Sequence, residues 1–81
     1  MSVNNTLVLA INGMFDAAHV GSISNTETGV AVVNDKGALI YFHEEADKDK
    51  AKAISFHLSK AAVTAGTPNA YQPDWEELAL I

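Results

Sequence analysis

Two short β-forming runs flank Asn34-Asp35-Lys36-Gly37, and no other stretch restricts the fold of this chain as strongly. Residues 30–33 read Val-Ala-Val-Val and residues 39–43 read Leu-Ile-Tyr-Phe-His. β-Branched and aromatic side chains suit the pleated, half-buried surface of a sheet. Asn-Asp-Lys-Gly suits a type I turn followed by a left-handed glycine, which makes a three-residue hairpin loop. Across that loop Val32 is expected opposite Ile40, and Val30 opposite Phe42. The other face then carries Ala31, Val33, Leu39, Tyr41 and His43. Both faces are apolar, whereas a sheet with one wet face alternates apolar with polar residues. One helix covers one face of a small sheet, so the second face needs a further cover.

The rest of the chain supplies that one helix. Residues 44–65 carry Ala51, Ile54, Leu58, Ala61, Ala62 and Ala65 on a single stripe at helical spacing. Acidic residues (Glu44, Glu45, Asp47, Asp49) crowd its expected start, where they complement the helix dipole. Glu44 and Lys48 stand at i,i+4 in the favourable order. Gly66 and Pro68 mark the stop. Phe56 and Val63 fall opposite the stripe, as a second, narrower apolar patch. Before the hairpin, residues 6–11 form an apolar run that reads as a strand buried on both faces. Asn12-Gly13 favours a type I′ hairpin turn. Residues 14–23 then return as a strand, or fold a helical turn at residues 15–19. Residues 24–29 read as a loop. At the C-terminus, Asp74 is placed to cap Trp75-Glu76-Glu77.

These elements predict an α+β fold: an antiparallel β-meander of three or four strands packed on one long α-helix, with a short C-terminal helix or tail. The domain spans residues 1–66, and residues 67–81 form a linker and tail. At 81 residues the chain has length for one domain. An apolar fraction of 48% argues for a packed core over disorder.

Composition narrows the function classes. The net charge is −5, and the 5 basic residues are all lysine. Without arginine or a basic patch, direct nucleic-acid binding is not expected. Without cysteine there is no disulfide, zinc–thiolate site or thiol nucleophile. That also favours a reducing compartment, so a cytoplasmic setting is the expectation. The apolar run at residues 7–11 lacks the basic flank of a signal peptide, and no stretch is long enough to span a membrane.

Catalytic and metal-binding patterns are weak. His19, His43 and His57 lie in no metal-binding spacing. Asp16 and His19 share a face only if their segment is helical, and with His43 they are the one conceivable ligand set; none is expected to hold metal. Glu44-Glu45 and Glu76-Glu77 are sequence neighbours and diverge, unlike the paired carboxylates of a glycosidase. No nucleophile elbow or phosphate loop occurs. The chain is therefore not expected to be an enzyme, and no cofactor is implied.

What remains is surplus apolar surface. Three covers are open at this point: the chain's own tail, a second copy in a homodimer, or a foreign protein. The expected binding surface comprises Tyr41, Phe56, Val63, Trp75 and Leu78, with Trp75 and Leu78 as i,i+3 anchors of an amphipathic tail. The short, acidic, cysteine-free and arginine-free profile is common among small phage and mobile-element proteins. It suggests a protein-binding module that inhibits a host or partner protein. The alternative is a small-ligand domain with a pocket at a dimer interface, lined by Tyr41, His43 and His57.

Overall fold

The computed structural model describes residues 6–81. Its strands are β1 (Leu7–Leu9), β2 (Met14–Asp16), β3 (Val20–Asn25), β4 (Gly29–Asn34) and β5 (Leu39–Glu44). One helix follows, α1 (Lys48–Thr64). The fold is α+β. The expected antiparallel meander is β3–β4–β5, three strands packed on α1, and β1–β2 forms a separate two-stranded hairpin. Neither reading of residues 14–23 holds throughout: only Met14–Asp16 return as β2, the turn is a 3-10 turn at Ala17–His19 and not at residues 15–19, and Val20 begins β3 of the second sheet.

The central hairpin forms through the expected loop. Asn34 and Ala38 close it with Asn34 N–H donating to Ala38 O at 2.8 Å, and Gly37 N–H donates to Asn34 O at 3.0 Å. The Asn34 side chain accepts from the N–H groups of Lys36 and Ala38, both at 2.9 Å. Gly37 has φ +84, the left-handed conformation this loop requires. Beyond the loop the register departs from expectation. Val33 pairs with Leu39, but Val32 pairs with Tyr41 and Val30 with His43. Ile40 is thus a surplus residue, a β-bulge. A one-residue slip exchanges the faces of a strand. Tyr41 and His43 therefore share a face with Val30 and Val32, while Phe42 joins Ala31, Val33 and Leu39 on the other. A second bulge, at Gly21, lies across β4 in β3. A Cβ there would stand 2.4 Å from Asn34 O, so this close approach excludes any side chain.

Val30, Val32 and Tyr41 pack with Ala51, Ile54, Leu58 and Ala61 of α1. The helix begins four residues later than the acidic cluster predicts, because Glu44 ends β5 and Asp47 is the cap. The Asp47 carboxylate accepts from Asp49 N–H at 3.0 Å and Lys50 N–H at 3.2 Å, supplying two of the partners that a helix start lacks. The helix ends at Thr64, before Gly66. The β1–β2 hairpin lies over the same sheet face, through Val8 and through Phe15, whose ring centre is 5.6 Å from that of Tyr41. β1 is not buried on both faces: only Val8 is inside, and Leu7 and Leu9 are exposed. The Asn12-Gly13 turn is not type I′ either, since among the described residues only Gly37, Gly66 and Ala79 have positive φ. At the end of β2, Asp16 accepts from the Thr6 hydroxyl and from Ala18 N–H. The Thr6 bond leads in holding this carboxyl below its usual range.

The tail is part of the same body. Gln72 bridges the outer edge of β1, donating to Leu7 O at 3.0 Å and accepting from Leu9 N–H at 3.3 Å. Trp75 is buried in the core. Asp74 starts the final turn by accepting from Glu77 N–H at 3.1 Å. Leu80 N–H to Trp75 O and Ala79 N–H to Glu76 O, both 3.2 Å, end it in a Schellman pattern. Ala79 occupies the left-handed position, φ 57, where glycine is the unstrained residue. Ala79→Gly is expected to raise unfolding free energy by about 0.5–1 kcal/mol, measured by urea denaturation; an unchanged or lowered midpoint would contradict this turn.

Candidate functional site

The second face of the β3–β4–β5 sheet carries Ala31 and Val33 on β4, with Leu39 and Phe42 from β5. Ser22 and Ser24 of β3 lie opposite Val33 and Ala31, and give this face a polar margin. None of the four apolar residues joins the core cluster or packs at its border. The protein measures 43 × 32 × 16 Å. Its least dimension holds two layers, the sheet and the layer formed by α1, the β1–β2 hairpin and the tail. No described element lies on the second face. Leu39 is 59% exposed, Phe42 and Val33 are half-buried, and Ala31, flanked on the same face by Phe42 and Ser24, is buried.

The residues singled out from sequence are dispersed by this arrangement. Tyr41 and Trp75 are both inside, so neither offers surface to a partner. The bulge at Ile40 turns Tyr41 to the core, where its hydroxyl donates to Asn12 Oδ1 at 2.9 Å. Burial pushes this phenol above its usual pKa. Trp75 donates its indole N–H to Leu9 O at 3.0 Å. Its ring meets His57 edge-on, with centroids 6.2 Å apart. The tail thus docks in cis, and a groove-binding role for Trp75 and Leu78 would require undocking it. Leu78 is half-exposed at the margin. Phe56 and Val63 are 61% and 80% exposed on the outer side of α1, as the helical spacing predicts.

The histidines do not converge. His57 Nδ1 and the Tyr71 hydroxyl share a hydrogen bond of 2.8 Å, with Lys60 Nζ over the Tyr71 ring at 4.6 Å. This cluster fastens the tail to α1. His43, beside Val30 on the core face, has Nε2 3.9 Å from Glu45 Oε1, and its Nδ1 is buried with no hydrogen-bond partner. His19 is exposed at the end of the 3-10 turn. No hydrogen bond or ring contact joins Tyr41, His43 and His57 into one pocket. Among the described residues, no three histidine, aspartate or glutamate side chains converge on a metal position, and no helix is long and apolar enough to cross a membrane.

Leu39 and Phe42 were legible as apolar residues; Leu39 keeps its expected place opposite Val33, whereas the place of Phe42 on this face depends on the bulge. Sequence pairing places Phe42 beside Val30, and no residue near Ile40 signals the extra position. Trp75→Ala is expected to cost about 3–5 kcal/mol of stability, as for other buried aromatic truncations, and Val63→Ala less than about 0.5. Urea denaturation measures both; equal small losses would mean that the tail is not docked as described.

No family model, curated protein sequence or solved structure matches this chain.

Proposed function

We propose that this chain is a protein-binding module that presents the second face of its three-stranded sheet to an apolar surface on another protein. The observation that carries this reading is the lack of a second layer over Ala31, Val33, Leu39 and Phe42. Apolar surface left without a covering layer, here exposed at Leu39 and in part at Val33 and Phe42, and bordered by a polar margin, is characteristic of interaction sites. A net charge of −5 favours a partner with a basic rim, because complementary charge speeds and orients docking. Covering a surface that the partner itself uses makes such a module an inhibitor by occlusion. The cysteine-free composition is in keeping with a reducing, cytosolic setting.

The depressions in the surface fit a small ligand less well. One of about 370 Å³ lies between the β3–β4 loop and the start of α1, lined by Thr26, Glu27, Glu45, Lys48 and Lys52 among others. It is charged and open, whereas small-molecule sites are enclosed and mostly apolar.

A photo-crosslinking benzoylphenylalanine in place of Leu39, with the same group in place of Val63 as the control, tests the face directly. The expected result is a protein adduct formed from position 39 and not from 63, competed by unlabelled wild type and not by Leu39→Lys. Adducts formed equally at both positions, or competed equally by Leu39→Lys, would overturn the assignment.

A further inference from the structure

The sheet also has an open edge. Thr26 N–H donates to Gly29 O at the end of the β3–β4 hairpin, at 2.7 Å. Antiparallel pairing alternates from there, so Ser24 and Ser22 turn their backbone groups toward β4. Ile23 and Asn25 turn theirs outward, where no described backbone group meets them. Protected edges usually carry lysine, proline or a bulge. Val20–Asn25 reads Val-Gly-Ser-Ile-Ser-Asn, with no charge and no proline, and its bulge at Gly21 lies at one end.

α1 lies across β3 and β4. One flank of the helix holds the tail, through His57 to Tyr71 and Trp75. The opposite flank overlooks the open edge, since Lys48 and Lys52 share a depression with Asn25 and Thr26. Further along that flank stand Ser55, Ser59 and Ala62, all small and half-buried, with exposed Phe56 and Val63 beside them.

We propose that a second copy of this chain pairs antiparallel along β3, about a two-fold axis at Ile23. Side-chain faces match in that register: Ile23 meets its own counterpart, and Ser22 meets the counterpart of Ser24. No like charges are opposed, which an isologous strand contact must avoid. The helices also fit. Strands stand about 4.8 Å apart. An axis lying over the line between β3 and β4 is then about 5 Å from the two-fold, so the two copies of α1 run about 10 Å apart, at the ~8–10 Å spacing of packed helices. Small residues at Ser55, Ser59 and Ala62 permit that approach.

The contact is about 25 Å long, from the rise of the 17-residue helix, and as deep as the 16 Å thickness of the protein. Its projection of about 400 Å² a side, before surface relief is counted, approaches the roughly 500 Å² a side that the smallest specific interfaces bury. The product is one six-stranded sheet with both helices on one side. Its other side remains free, so this proposal does not rest on the open-face reading.

Sedimentation equilibrium at micromolar concentration tests it on the wild type, Asn25→Pro and Ser59→Glu, each checked for fold by far-ultraviolet circular dichroism. Proline at 25 removes an outward N–H and leaves the β4 ladder intact. Glutamate at 59 places a charge between the helices, and decides the matter if the proline variant does not fold. The expected masses are twice 8.6 kDa for wild type and 8.6 kDa for either folded variant. A monomeric wild type, or a dimer undiminished in the folded variants, would overturn the proposal.

Discussion

Ile40 stands in β5 without a partner on β4, between the pairs Val33–Leu39 and Val32–Tyr41. That one surplus residue decides which side chains of the strand are inside. With it, Tyr41 enters the core beside Val30 and Val32, meets Phe15, and reaches Asn12 in the β1–β2 loop. The hairpin is held over the sheet by these contacts, and the tail is held to the hairpin by Gln72 and Trp75. Remove the bulge, and Tyr41 turns outward while Phe42 turns in. The first hairpin and the tail would then lose the surface on which they dock.

The same bulge completes the candidate site, adding Phe42 to the face that carries Ala31, Val33 and Leu39. Phe42 and Leu39 sit with Ala31 and Val33 on a face that no described element covers, because α1, the hairpin and the tail are all engaged on the other side. The described elements form two layers. The open face is therefore a consequence of this layering.

Much of this architecture can be read from the residues. The Asn34-to-Gly37 loop, the α1 stripe at Ala51, Ile54, Leu58 and Ala61, and the exposure of Phe56 and Val63 all follow from turn chemistry and helical spacing. The surplus of apolar faces was legible too. That Phe42 and not Tyr41 joins the open face was not, because a bulge is set by long-range packing and leaves no mark in a run such as Leu-Ile-Tyr-Phe-His. The helix start was misplaced because Glu44 and Glu45 suit a helix N-terminus as well as the end of a strand. Asp47 wins as cap through its bonds to Asp49 and Lys50. Trp75 reads as a partner anchor in isolation, since tryptophan is frequent at interfaces. Its burial depends on Leu9, 66 residues earlier, which local pattern does not reveal.

Cross-strand nuclear Overhauser contacts between β4 and β5 test the central claim most directly. The bulged register predicts that Val32 is paired with Tyr41 and Val30 with His43, with the Phe42 ring remote from the methyl groups of Ile54 and Leu58. Contacts pairing Val32 with Ile40 and Val30 with Phe42, and placing the Phe42 ring against those methyls, would contradict it and put Tyr41 and His43 in the place of Phe42 on the uncovered face.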